Sequence, residues 1–398
     1  MKVIVLLLFL TSFVTLFSYS SYDWLINKGE ENNPIRPIFP YTNRTCLFLV
    51  EEPSAVNQAL GAYGIGVANP WNDNPSAAYT NPAIAAFHNG VSYGFSKAPW
   101  LKDYFTGMNY CTGMITYKYK DITFILPAFD MRKRFGIALD YGMQTITNEA
   151  GDDLGKFNMY ENAIMVGLAY NPLESMRSHG KSSPFLDHFD LAFGLNEEYI
   201  DSRLAPAEQG QGSSMGKSSS TNIGILCKYH TVMDNLIKSE IAYGYSSFNI
   251  MNNKISYLSG GSKDIVADPT NSGIAISLSC LSEPFIPADK YRFIEDILSI
   301  RYFTAIQKMV NTTDMYSTGI ELGLLDTFYW REGTWVNNDN YGGSSFGYGI
   351  KLHYKDIVTF NYNRASRDNS SINIFTFDEF NLTVDIMRII KNKDGLQH

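Results

Sequence analysis

From Gly90 to Ile386 the chain repeatedly alternates apolar with small or polar residues. In Arg134–Thr147, Phe135, Ile137, Leu139, Tyr141 and Met143 fall on one face, and Gly136, Ala138, Asp140, Gly142 and Gln144 on the other. A period of two predicts a β-strand, because successive side chains of a strand point to opposite faces. The same period marks Gly90–Lys97, Met108–Tyr119 and Ile122–Phe129, then 160–170, 191–199 and 223–229. It returns in Ser239–Ile250, Gly273–Leu281, Ile297–Ile306, Ser317–Phe328, 346–354, Asp356–Arg364 and Ser371–Ile386. This predicts an all-β fold of about fourteen antiparallel strands.

The leader decides which solvent the apolar face meets. Met1-Lys2 is followed by an apolar run to Phe17, and Ser18 and Ser20 supply small residues for cleavage before Ser21. This is the layout of a secretory signal peptide over 1–20. No other segment approaches the length of apolar sequence that a spanning helix needs. An exported chain of many alternating segments is therefore predicted to be a transmembrane β-barrel, the sheet form that satisfies every backbone group in lipid. Its greasy side, Leu139 and Ile350 included, is expected to touch lipid tails, and its glycine-lined side to face a filled lumen. The partner is then the bilayer of a bacterial outer membrane, entered by a monomer. A soluble periplasmic all-β binding protein is the alternative, with the greasy residues meeting in a core.

Composition narrows the choice of chemistry. Charged residues are 18% of the 398, against roughly 25% in soluble domains. The 26 Tyr and 25 Phe suit aromatic girdles at the membrane boundaries. With a net charge of −8 and no basic run, nucleic acid is excluded as a partner. Cys46, Cys111, Cys227 and Cys280 are scattered without metal-ligand spacing, and read either as disulfides or as buried or lipid-facing thiols. The six histidines form no i, i+4 pair, and no nucleophile stands in a motif with a base. No catalytic residue, metal or cofactor is assigned, and the chain is not read as an enzyme.

Residues 21–44 are rich in Asn, Pro and charge and read as an extended lead-in. Residues 45–88 are dense in Ala, Gly, Asn and Pro without alternation, and predict short helical turns and loops. The barrel would occupy 89–390, with a basic tail at 391–398. Short turns are expected at 119–122, 130–134 and 354–357, on the rim opposite long loops at 172–187, 205–220, 252–272 and 331–344. The chain lacks the terminal aromatic residue of many such barrels; a closing signal would lie near Phe380.

Two stretches carry a resemblance. In Asn57–Lys97, Gly61, Ala62, Gly64 and Gly66 precede an acidic turn at Asp73 and the run Ser76-Ala77-Ala78-Tyr79-Thr80-Asn81-Pro82-Ala83. Gly319, Glu321, Gly323 and Asp326 are followed by Arg331 and Gly333. The first resembles the amino-terminal hallmark of FadL-type outer-membrane barrels, and the second a late hairpin of their PorV/PorQ-like branch. The resemblance implies that 45–88 is a plug inside the lumen, with Asp73, Tyr79, Asn81, Pro82 and Ala83 lining a pocket for a small hydrophobic ligand or merely filling space. It implies passage of small hydrophobic compounds, with a PorV-like accessory of a type IX secretion system as the alternative and secretion partners to match. Glu321 and Lys351 lie on the small-polar faces of their strands and read as lumen charges, either structurally paired or tuning selectivity.

Overall fold

The computed structural model describes residues 44–99, 108–130, 134–147, 153–205, 214–257, 263–282, 294–310, 312–338, 342–354, 357–369 and 372–385. The signal peptide, most of the lead-in and the tail lie outside them. Eighteen strands join in one sheet. Three are short: β1 (Arg44–Thr45), β10 (Lys254–Tyr257) and β11 (Lys263–Val266). The others form the wall: β2 (Val91–Pro99), β3 (Asn109–Tyr119), β4 (Ile122–Pro127), β5 (Gly136–Thr147), β6 (Asp153–Tyr170), β7 (Phe189–Ala205), β8 (Ser214–Met233), β9 (Ile237–Ser247), β12 (Thr270–Leu281), β13 (Asp296–Lys308), β14 (Met315–Leu324), β15 (Phe328–Asn337), β16 (Gly342–Tyr354), β17 (Val358–Asn369) and β18 (Ile372–Val384). Each pairs antiparallel with its neighbours, β9 meets β12, and β18 closes on β2. β4 and β5 pair in succession with the same strands, β3 and β6, and so form one stave; the ring has fourteen staves. A closed ring leaves no unpaired edge, as lipid requires.

The alternation sorts as the membrane demands. Along β16, Phe346, Tyr348, Ile350, Leu352 and Tyr354 are exposed on the outer face, and Gly347, Gly349 and Lys351 point inward. Val166, Leu168 and Tyr170 on β6 and Phe193, Leu195 and Tyr199 on β7 extend this apolar exterior. The soluble reading needs these side chains in a core, and they are not in one.

Three expectations are corrected. Leu139 does not face lipid. It is 4% exposed and lies opposite Tyr110, whose hydroxyl reaches the Glu51 carbonyl inside the ring. Ile137 points the same way, because the lumen at this level is itself apolar. The count of fourteen holds through two offsetting changes: 122–129 and 134–147 share one stave, and the expected loop at 331–344 contains most of β15. The turn at 130–134 is thus an interruption within a stave, and the connection at 172–187 lies on the same rim as the turns at 119–122 and 354–358, folded into the helices Pro172–Ser178 and Pro184–His188.

The chain enters at one rim and crosses the lumen. β1 pairs with β11 beside the upper end of β8, whereas Gly90 leads into β2 at the opposite, terminal rim, where β18 also ends. Between them, residues 46–88 form short helical turns, as their composition predicts, and are buried almost throughout. They bond to the inner face all round the ring: the hydroxyls of Ser96, Ser246, Ser317 and Ser345 donate to the carbonyls of Pro53, Thr80, Gly61 and Ala59. The wall permits this only where side chains are absent. A Cβ on Gly333 would lie 2.1 Å from the Leu60 carbonyl carbon. None of the four cysteines is joined in a disulfide.

Placing a cation on the outer row should be costly. Ile350→Lys is expected to destabilise the inserted barrel by about 2–4 kcal/mol, measured by urea titration in phospholipid vesicles.

Candidate functional site

The hallmark residues sit where the internal segment touches two staves. Asn81 has extended backbone and caps the turn Pro82–Phe87, its Oδ1 accepting from the Ala83 N–H at 3.0 Å. Pro82 fits the first position of that turn, where its missing donor leaves nothing unsatisfied. The Asn81 amide donates to the carbonyls of Val67 at 2.7 Å and of Ile225 on β8 at 3.1 Å. One side chain thus orders the turn, ties it to the preceding coil and anchors it to the wall. Gly194 and Gly224 make room: a Cβ would lie 2.2 Å from the Pro82 carbonyl carbon at the first and 2.0 Å from the Asn81 Oδ1 at the second. Tyr79 donates to the Leu49 carbonyl at 2.5 Å and meets Phe248 edge-on at 5.3 Å between ring centroids. Tyr79, Asn81, Pro82 and Ala83 are buried and fully packed, and no open pocket lies against them among those described.

The open space lies elsewhere. A cavity of about 310 Å³ occupies the lumen near the terminal rim. Asp73, Glu240, Asp296, Arg301, Glu321 and Lys351 contribute to its lining, so it is charged where the resemblance implies an apolar, aromatic pocket. Asp73 lies here, apart from Asn81, accepting from the Asn361 amide at 2.9 Å and standing 3.5 Å from the Lys351 ammonium. Lys351 also faces Asp326 at 3.8 Å. Glu321 is held between two guanidinium groups: Arg301 Nη1 at 2.5 Å on β13 and Arg331 Nε at 2.6 Å on β15. The three residues lie directly opposite one another in the strand register. Glu321 and Lys351 are therefore inward-facing charges with partners. His88 closes the inner end of this region, one ring nitrogen 3.0 Å from the Thr116 hydroxyl and the other 3.1 Å from the Asn72 carbonyl. Its burial pushes the imidazole pKa down to about 4, so it is neutral at pH 7.

Arg301, Arg367, Glu52 and Glu379 escaped the sequence reading, and Arg331 entered it only as part of the hairpin motif. The usable signal was that Arg301, like Glu321, falls on the small-polar face of its strand; register then decides which charges meet. The resulting arrangement can hold water and polar groups.

No protein-family model matches the chain, and no curated protein matches it. Among solved structures it is similar to the toluene transporter TbuX of Ralstonia pickettii, at 12% identity and a TM-score of 0.36 over 84% of this chain and 97% of that one. It is also similar to the toluene transporter TodX of Pseudomonas putida (9%, 0.37, over 83% and 96%) and to a FadL homologue of Pseudomonas aeruginosa (11%, 0.35, over 83% and 97%). At this level the likeness assigns neither family nor cargo.

Asn81→Ala removes the cap and the tether to β8 together. The cap alone should cost about 1 kcal/mol, and the loss is expected as faster amide exchange in 81–88 at an unchanged urea midpoint for the barrel.

Proposed function

We propose that this chain is an outer-membrane conduit for small hydrophobic compounds, with residues 46–88 as the plug that controls it. The terminal rim then faces the periplasm, and the chain acts by binding and release. The supporting observation is a coincidence in the wall. Between β4 and β5 the third stave breaks, and Ile164, Met165 and Val166 of β6 have no strand partner on that side. At this break the inner face carries large aliphatic side chains: Met114, Ile125, Ile137, Leu139 and Met165. Elsewhere among the described residues, inward-facing wall positions are mostly small, polar or charged.

The outside of the break carries exposed aromatic rings, beside the Arg134–Asp140 ion pair. Phe129 and Phe135 are exposed and pack edge-on at 4.7 Å between centroids, with the Tyr93 hydroxyl donating to the Phe129 carbonyl at 2.8 Å. Ala128 and Phe129 lie against Gly113, where a Cβ would come within 2.6 Å of Phe129 backbone. An apolar solute in the lumen gains nothing by entering the charged cavity below. Sideways, it keeps apolar contact throughout and meets hydrocarbon, each Å² kept from water contributing about 25 cal/mol. The route therefore leads through the wall at the break, opened by displacement of Phe129 and Phe135 or of the plug.

Uptake of a monoaromatic dye by vesicles containing the protein tests this. Ile137→Asp and Met165→Arg should each lower the initial rate at least tenfold while heat-modifiable migration remains. Unchanged rates in both folded variants would contradict the route.

A further inference from the structure

Where the internal segment docks on β17 and β18, three buried carboxylates stand with one directly paired cation. Glu51, Glu52 and Glu379 are each at most 3% exposed. Arg367 is spent on Glu51, its Nη1 3.0 Å from Oε2 and its Nη2 3.2 Å from Oε1, with Gln58 Oε1 accepting from Nη1 at 3.2 Å. Glu379 receives only neutral donors: the Ala55 N–H at 2.9 Å, and the Ser76 hydroxyl and the Asn363 amide at 3.2 Å each. Glu52 likewise accepts from the Asn57 amide at 3.1 Å, the Ser54 N–H at 3.4 Å and the Thr80 hydroxyl at 2.5 Å. The nearest other cation, Arg331 of β15, is held by Glu321 at 2.6 Å and by Asn363 at 3.0 Å. Glu198 of β7, the phenols of Tyr63, Tyr79 and Tyr110 and the Cys46 thiol are further titratable groups in this part of the lumen, and none brings positive charge.

Burying an unpaired carboxylate in a dry interior favours its neutral form. Burial raises Glu52 to about 7, against the opposing hydrogen bonds from Thr80, Asn57 and Ser54.

We propose that Glu379, between the wall and the internal segment, and Glu52, within the segment, form a proton-controlled latch: protonated, they hold the segment in place; ionised, they favour its release. The docked state keeps protons that the released, hydrated state gives up. Release therefore grows as pH rises above the ordinary glutamate value of 4.5 and levels off near 7. This inference stands apart from the hydrophobic-transport reading, because it concerns only the hold on the segment.

Amide hydrogen exchange on the full chain in phospholipid bilayers tests it at pH 5, 6 and 7, with rates corrected for intrinsic exchange. Opening of residues 51–60 should rise about tenfold per pH unit for each group that must ionise, on the order of a hundredfold from pH 5 to 7 where one group ionises and up to about ten-thousandfold where both do. Glu379→Gln and Glu52→Gln should each flatten that slope. Glu174→Gln, on the helix at the terminal rim, should keep it. A flat wild-type profile overturns the proposal, as does a wild-type slope in both Gln variants. If neither variant folds, the wild-type profile alone decides.

Discussion

The structure depends on close contact between an internal chain segment and a wall that has given up its side chains. A fourteen-stave ring encloses more space than its own inward residues can fill. Residues 46–88 take that space, and Gly194, Gly224, Gly319 and Gly333 let backbone meet backbone there. Interior packing tolerates little volume error, so these glycines are steric requirements. The segment's own polar groups are met by wall serines, Asn81 and the Arg367–Glu51 pair.

This packing divides the lumen. Where Phe48, Tyr79, Tyr110, Phe377 and Trp335 gather, it is dry. Toward the terminal rim it opens into a charged cavity where Lys351 and the Arg301–Glu321–Arg331 triad are inward-facing. The dry part extends to Ile137 and Leu139, beside the broken stave. Apolar lumen and apolar exterior are thus brought together at the broken stave, with Glu161 and the Arg134–Asp140 pair at its margin. The buried acids at β17 and β18 occupy the other delicate place, where the segment is held by donors without a counter-charge.

Much of the fold was legible in the sequence because period-two alternation is a local signal. The rows on β6, β7 and β16 are exposed on the outer face, as their pattern predicts. Alternation separates two faces without saying which looks outward. At Leu139 the greasier face is the inner one, since the lumen there is apolar as well. β15 was hidden because Arg331 and Glu332 put charge on both of its faces, and the resemblance to a hairpin at 319–333 located it better than periodicity did. The Asn-Pro-Ala element was legible as a structural device through turn chemistry. The charged cavity was not, because its residues come from seven strands and the internal segment, and meet only through register.

Planar-bilayer conductance of the intact protein tests the central claim, that the ring is filled by its own chain, most directly. A filled lumen predicts a membrane that stays electrically tight at neutral pH, with at most brief, small openings. A large and steady conductance, as from an open water-filled ring of this size, would contradict the account.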